Sequence, residues 1–243
     1  MTNKTVLITG GAQRIGAAIA RDLHAHGLDL VIHYNTSKDE AETFADSLNA
    51  ERAGSVCLLQ ADLLNDREIF GLVTDAHDFK NRLDILINNA SSFYPTPVNS
   101  VTTAQWNDLI GTNLKAPFFL AQRAADYLRE SRGCVINMTD IHAERPLKNH
   151  AVYSTAKAGL VMLTKALAKD LGPEIRVNAI SPGAILWPQQ MDDETRKEIL
   201  SRTILRRQGE QRDINNAIRY LIFDADYMTG QVLTIDGGRT LFS

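Results

Sequence analysis

The sequence has few cysteines, no long apolar run and no strong excess of charge, and each absence excludes a class of protein. Only two cysteines, Cys57 and Cys134, occur among the 243 residues, and each lies within an apolar run. We therefore expect buried thiols rather than a disulfide, as in a reducing, cytoplasmic environment. No stretch reaches the roughly 18 apolar residues of a membrane-spanning helix. The first residues lead directly into a strand rather than into a signal peptide.

The charge and the histidine pattern exclude two further functions. The net charge is −3, so the sequence does not predict the basic surface of a nucleic-acid-binding protein. The six histidines lack the spacing of metal ligands, and we predict no metal site. A chain of 243 residues is long enough for one large domain with a substantial core, and no linker or repeat divides it.

Short apolar runs alternate with helical patterns along the whole chain. This alternation predicts an α/β fold with a parallel sheet, and the continuous apolarity of the runs predicts helices on both faces. Helical periodicity is clearest over Ile15–His26 and Ala151–Leu171. The predicted strands are Thr5–Thr9, Leu30–Tyr34, Ser55–Gln60, Leu83–Ile87, Cys134–Met138, Arg176–Ile180 and Val232–Ile235.

Tyr153 and Lys157 form the most informative pair in the sequence. They are four residues apart, so on a helix they share one face. A neighbouring ammonium favours the phenolate, and we predict that Lys157 lowers the pKa of Tyr153 toward the working range. Asp140 follows the fifth predicted strand, where a carboxyl group could relay protons or bind a substrate rich in N–H groups. The alternative interpretation is a pair exposed on a helix surface.

A glycine-containing turn follows the first predicted strand and precedes a helix. Gly10 and Gly16 would let the backbone approach a pyrophosphate, and the helix N-terminus would supply free N–H groups. Arg14 would add a forked cation beside the bound phosphates. A plain tight turn remains the alternative.

The residues after the second strand favour NADPH over NADH. A cofactor without a 2′-phosphate prefers a carboxylate at this position, and the first one is Asp39. Asn35, Thr36 and Ser37, with Arg14, suit a 2′-phosphate instead. Alternatively, these residues only cap the next helix, and Ser37 could serve both purposes.

Polar residues also follow the third and fourth strands. Asp62, next to Leu63, could accept a hydrogen bond from an adenine amino group, or could close a turn. Asn89 and Ala90 could line the ribose side of a nucleotide crevice, since ligands of open α/β sheets bind at the carboxyl ends of strands.

Together these motifs resemble the short-chain dehydrogenase/reductase family over essentially the whole chain. The resemblance implies a Rossmann-like, doubly wound, three-layer α/β/α domain over residues 1–243, a nicotinamide cofactor and a homotetramer. It also implies a catalytic set in which Asn113, Tyr153 and Lys157 match the family, whereas Asp140 stands where the family has serine. Arg14 likewise replaces a glycine of the family's turn.

Within the family the sequence is similar to the pteridine reductases, through the turn 10–16, the stretch 33–37, the stretch 88–97 and Asp140. The similarity implies a pterin or folate substrate stacked on Phe93, and a substrate loop over 184–205. Trp187 would cover the pterin or contact a neighbouring subunit. Phe93 and Tyr94 could instead be a core pair. The resemblance assigns cofactor binding to Gly10, Arg14, Ile15, Gly16, Tyr34, Asn35, Thr36, Ser37, Asp62, Leu63, Asn89, Ala90, Lys157, Pro182 and Gly183. It assigns substrate binding to Arg14, Ser91, Phe93, Asp140, Tyr153 and Trp187.

The sequence therefore predicts an NADPH-dependent pteridine reductase in which Asp140 and Tyr153 relay a proton and Lys157 and Asn113 support them. Two alternatives remain open. One is a carbonyl reductase of 3-oxoacyl or other keto substrates, and the other is a non-catalytic protein that senses NADPH.

Overall fold

A computed structural model describes residues 4–187 and 191–242 of the chain. Seven parallel strands form one sheet in the order β3-β2-β1-β4-β5-β6-β7. The predicted parallel sheet is confirmed, with small shifts of the boundaries, such as a fourth strand that begins at Ile85 rather than Leu83. The strands are β1 Thr5–Ile8, β2 Asp29–Tyr34, β3 Val56–Gln60, β4 Ile85–Asn88, β5 Cys134–Met138, β6 Arg176–Pro182 and β7 Val232–Ile235.

Helices cover both faces of the sheet, as a doubly wound fold requires. The helices are α1 Arg14–Ala25, α2 Lys38–Glu51, α3 Asp66–Asp78, α4 Thr103–Ile110, α5 Ala116–Ser131, α6 Ala151–Leu171, α7 Asp193–Ser201 and α8 Gln211–Phe223. Val6 and Ile8 pack in one apolar cluster with α1, α2 and α8. Leu7 packs in the other cluster, with α3, α5 and α6. Because helices cover both faces of the sheet, the central strands β1, β4 and β5 are apolar at most positions. The three-layer α/β/α architecture is confirmed.

The strand order places one crevice at the carboxyl ends of β1 and β4. β1 pairs with β2 on one side and with β4 on the other, so the chain reverses its direction of travel across the sheet here. Connections leave this edge toward opposite faces, which opens a cleft between them. The residues that follow β1, β2, β4, β5 and β6 therefore meet along a single edge.

At the opposite edge of the sheet, Asp84 ties the amino ends of the strands together. Its side chain is 1% exposed, and its carboxylate accepts hydrogen bonds from Thr5 N at 2.8 Å and from Arg82 Nε at 2.8 Å. Cys134 N donates to Asp84 O at 3.0 Å. A buried carboxylate is tolerated here because it is fully paired.

Two sequence expectations need correction. Both cysteines are free thiols, but only Cys134 is buried, because Cys57 on β3 keeps partial exposure. The stretch 184–205 was predicted as a loop, yet nine of its residues form α7 because Asp192 caps that helix by accepting from Thr195 N at 2.7 Å. Pro188, assigned to the same loop, lies outside the described residues. Within the described ranges, no helix combines the length and the apolarity needed to cross a membrane.

Candidate active site

The turn between β1 and α1 is held in one conformation by the end of β4. Asn89 Nδ2 donates to Thr9 O at 2.9 Å and to Gly10 O at 3.0 Å, and Thr9 Oγ1 accepts from Asn89 N and from Ala90 N. Gly10 has a φ of +59°, and a Cβ at Gly16 would collide with Gly10 O. Both positions therefore require glycine.

The start of α1 suits a pyrophosphate. Gln13 occupies the N-cap position and makes no side-chain cap hydrogen bond, so it leaves the N–H groups of the first turn to a ligand. Arg14 opens the helix with a φ of +52° and an exposed side chain. Ile15 is half-buried beside it. A close backbone cradle with free donors and a cation has the chemistry to hold the phosphates of a dinucleotide, and this role stays a prediction.

The residues predicted to bind the 2′-phosphate and the adenine lie at the ends of β2 and β3. Asn35 and Thr36 are exposed, and Ser37 sits at the N-cap of α2 without a side-chain cap bond, so its hydroxyl is not used by the helix. Tyr34 is 9% exposed and packs in the core. Asp62 Oδ1 accepts from Leu64 N at 2.9 Å and closes a turn, and its contact with an adenine amino group stays a prediction. Leu63, next to it, is buried at 6% exposure.

Tyr153 and Lys157 lie on the buried face of α6 and not on a surface. Their exposures are 4% and 3%. Tyr153 Oη donates to Asp140 Oδ2 at 2.8 Å. Asp140, directly after β5, is oriented because its Oδ1 accepts from His142 N at 2.8 Å. Asp140 and Tyr153, the two residues of the predicted proton relay, are therefore joined by a hydrogen bond.

The predicted effect of Lys157 on Tyr153 is wrong in this structure. Burial, the charge of Asp140 and the hydrogen bond to Asp140 raise the pKa of Tyr153 instead of lowering it. Lys157 Nζ lies 5.7 Å from the centroid of the Tyr153 ring and donates to Met138 O at 2.8 Å. Burial lowers the pKa of Lys157 to about 8, and the charge of Asp140 opposes part of this change. The phenol therefore keeps its proton and donates a hydrogen bond to the Asp140 carboxylate.

Asn113 lies in a π-helical turn, Gly111–Lys115, between α4 and α5. Its Nδ2 donates to Ser92 O and to Leu109 O, each at 2.9 Å. Its Oδ1 accepts from Ser91 Oγ at 2.6 Å. Through Leu109 O the amide satisfies a carbonyl beside the wide turn, and through its oxygen it fixes Ser91, a predicted substrate-binding residue.

Phe93 presents an aromatic face beside Tyr153. Its side chain is 50% exposed, and its ring stacks on His150 with the centroids 4.8 Å apart. The Tyr153 ring meets Phe93 edge-on at the same centroid distance. Tyr94 points away and donates to Asp108 Oδ2 at 2.8 Å. Phe93 and Tyr94 are therefore not a core pair, and Phe93 can stack on a flat ligand.

The end of β6 closes the other side of the site. Pro182 is the last residue of that strand, and Gly183 N donates to Ile235 O at 2.9 Å. A Cβ at Gly183 would lie 2.7 Å from Asp236 Cα, so glycine allows the close approach of the turn after β7. Trp187 is half-buried at the end of the first described range, and its covering role stays a prediction.

Sequence reasoning assigned no individual role to two histidines of this edge. His150 stacks on Phe93, and His33 contacts the turn after β1 through its ring. His33 carried a usable signal, because a histidine at the end of an otherwise apolar strand needs a buried hydrogen-bond partner. His150 carried none, because the stacking depends on a contact across 57 residues of chain.

The cleft, the glycine turn and the Asp140–Tyr153–Lys157 group together are those of a dinucleotide-dependent oxidoreductase. The family described as enoyl-(acyl carrier protein) reductase matches residues 10–240. Pteridine reductase 1 of Leishmania tarentolae is 34% identical over 99% of this chain and 97% of its own length. The 3-oxoacyl-(acyl-carrier-protein) reductase FabG of Staphylococcus epidermidis is 32% identical over 97% and 98%. The 3beta-hydroxysteroid dehydrogenase 1 of Eggerthella lenta is 32% identical over 100% and 95%.

The chain belongs to the short-chain dehydrogenase/reductase family and is an oxidoreductase of that family. Members of the family use a nicotinamide dinucleotide as cofactor.

Proposed function

We propose that the protein is an NADPH-dependent pteridine reductase that converts dihydropterins, and also oxidised pterins or dihydrofolate, to their tetrahydro forms. The observation that carries this proposal is the 2.8 Å hydrogen bond between Tyr153 Oη and Asp140 Oδ2, directly beside the half-exposed ring of Phe93. The similarity to a pteridine reductase over nearly the whole chain also supports it.

The chemistry of a pterin matches these side chains. A pterin is a flat bicyclic ring with N–H groups on its edge. A charged carboxylate such as that of Asp140 accepts stronger hydrogen bonds from these N–H groups than an uncharged serine hydroxyl would. Phe93 offers a face for stacking, and Ser91 lies at the edge of the same space. When bound, NADPH supplies a hydride to the ring.

The proton comes from the chain. Tyr153 keeps its proton because its pKa is raised, and Asp140 holds the phenol in position. Transfer of that proton to a ring nitrogen next to the reduced carbon neutralises the charge that develops there. Lys157, whose Nζ lies 5.7 Å from the centroid of the Tyr153 ring, then stabilises the phenolate and also serves to bind the nicotinamide ribose.

A preference for NADPH over NADH is part of the proposal. Asn35 and Thr36 are exposed after β2, Ser37 has a hydroxyl that the helix does not use, and Arg14 is an exposed cation at the neighbouring turn. Hydroxyl, amide and guanidinium groups suit a 2′-phosphate. A cytoplasmic homotetramer completes the proposal, supported by the free thiols and by the family resemblance.

A second candidate is a reductase of 3-oxoacyl thioesters, favoured by relatives that are 32% identical over almost the same length. Asp140 speaks against it. A carbonyl oxygen gains negative charge during reduction, and a carboxylate that accepts from Tyr153 would repel it.

A substrate panel separates the two candidates. NADPH oxidation is followed with dihydrobiopterin, dihydromonapterin and dihydrofolate, and with an acetoacetyl thioester. Turnover of a pterin but not of the thioester is expected, and turnover of the thioester alone would establish the carbonyl reductase. Tight NADPH binding without turnover of any substrate would establish the third possibility, a non-catalytic NADPH sensor.

Three variants test the assigned roles. Tyr153→Phe and Asp140→Asn should each lower pterin turnover by about 10²-fold or more, with NADPH affinity largely retained. Tyr227→Phe is the matched control, because that tyrosine is fully exposed. Full activity in Tyr153→Phe would contradict the proposed mechanism.

A further inference from the structure

His33 is a buried histidine that the proposed reaction does not use. It lies on β2, 2% exposed, where the strand passes beneath the turn between β1 and α1. Its ring makes two hydrogen bonds, one on each nitrogen. Nδ1 lies 3.1 Å from Gly10 N, and Nε2 lies 2.9 Å from Ala61 O, just beyond the end of β3.

The two partners determine the tautomer of the ring. Gly10 N carries a hydrogen and can only donate, so Nδ1 must be the acceptor. Ala61 O can only accept, so Nε2 must carry the proton. Burial lowers the pKa of His33 and outweighs the opposing effects of the hydrogen bond to Ala61 and the charge of Asp62. The ring is therefore neutral. If Nδ1 carried a proton, its N–H would face the N–H of Gly10, and the hydrogen bond between them would be lost.

His33 also controls which N–H groups of the turn remain for a ligand. Its backbone oxygen accepts from Gly11 N at 3.1 Å, so His33 receives both Gly10 N and Gly11 N. These two donors point toward β2, and the donors of the first turn of α1 are left for the phosphates. The link to Ala61 connects this turn with Asp62 and Leu63, the adenine side of the proposed cofactor site.

We propose that His33, as the Nε2–H tautomer, is a positioning residue that orients the pyrophosphate-binding turn and thereby sets the affinity for the dinucleotide. The proposal rests on family membership and on the geometry of this edge, and it is independent of which substrate is reduced.

Two substitutions separate the two hydrogen bonds. In His33→Asn the amide oxygen takes the place of Nδ1, so it can still accept from Gly10 N while the link to Ala61 is lost. In His33→Gln the amide nitrogen reaches the place of Nε2, so it can still donate to Ala61 O while Gly10 N loses its acceptor. His26→Gln, at an exposed position after α1, is the control.

NADPH affinity is measured by titration of nucleotide fluorescence, and thermal unfolding of the apo protein is measured in parallel. We expect His33→Gln to raise the Kd for NADPH about tenfold, and His33→Asn and His26→Gln to change it less than about twofold. The two His33 variants should lose similar thermal stability, because each loses one hydrogen bond. A merely structural histidine would give equal Kd values for both variants, and that result would overturn the proposal.

Nitrogen-15 spectra of the imidazole rings in the unsubstituted protein give a test that needs no variant to fold well. The His33 signals should show a protonated Nε2 and an unprotonated Nδ1 near neutral pH, both with and without NADPH. A protonated Nδ1 would refute the assignment.

Discussion

Replacement of Lys157 by methionine should make the apo protein more stable while it destroys activity. Lys157 is 3% exposed, and burial lowers its pKa from 10.5 to about 8. One pKa unit corresponds to about 1.4 kcal/mol, so the ammonium destabilises the folded state by about 3 kcal/mol at about pH 7. Methionine has a similar length and fills the same space without a charge.

One loss offsets part of this gain. Lys157 Nζ donates to Met138 O at 2.8 Å, and the orphaned carbonyl costs about 1 kcal/mol. The net gain is about 2 kcal/mol, which raises the melting temperature of a chain of this size by about 4–8 °C. Thermal unfolding of the apo protein measures it. Lys165→Met on the exposed face of the same helix is the control and should leave the midpoint unchanged.

The pH dependence gives a second, independent check. The folded-state pKa of Lys157 lies below the unfolded value, so its destabilising effect is complete below about pH 8 and fades between about pH 8 and 10.5. The advantage of Lys157→Met should shrink across that window. A variant that is less stable than the unsubstituted protein, or an advantage that does not change with pH, would refute the reasoning.

Two further substitutions test the cofactor turn and the base of the sheet. Gly16→Ala should raise the Kd for NADPH at least about tenfold, because its Cβ would collide with Gly10 O, whereas Gly71→Ala in open space on α3 should bind normally. Asp84→Ala should cost about 3 kcal/mol in urea unfolding, because it removes the buried carboxylate that accepts from Thr5 N and from Arg82 Nε. Asp126→Ala, which breaks an exposed pair, should leave the urea midpoint unchanged.

The linear order of the chain was enough to predict the fold class. Apolar runs such as the one that includes Val6 and Leu7 are uniformly apolar because helices cover both faces, and that local signal is present in the sequence itself. The turn from Gly10 to Gly16 and the spacing of Tyr153 and Lys157 are equally local. They could be located without coordinates because each is defined by neighbours along one element.

The tertiary structure alone decided how these residues act on one another. The pKa of Tyr153 rises because the phenol is buried and because Asp140, on another element, accepts its hydrogen bond at 2.8 Å. Asp62 Oδ1 closes its own turn, a hydrogen bond that only coordinates could show. Phe93 proved half-exposed rather than part of the core.

His33 shows the same division between sequence and tertiary structure. The sequence shows that His33 lies near the end of an apolar strand. Its two partners, Gly10 and Ala61, lie 23 and 28 residues away along the chain, and they meet the ring only when three strands pair. The sequence determined which residues reach the carboxyl edge of the sheet. Distances, burial and charge in the folded chain determined which protons and hydrogen bonds they exchange there, because these interactions depend on separation in space and not on separation along the chain.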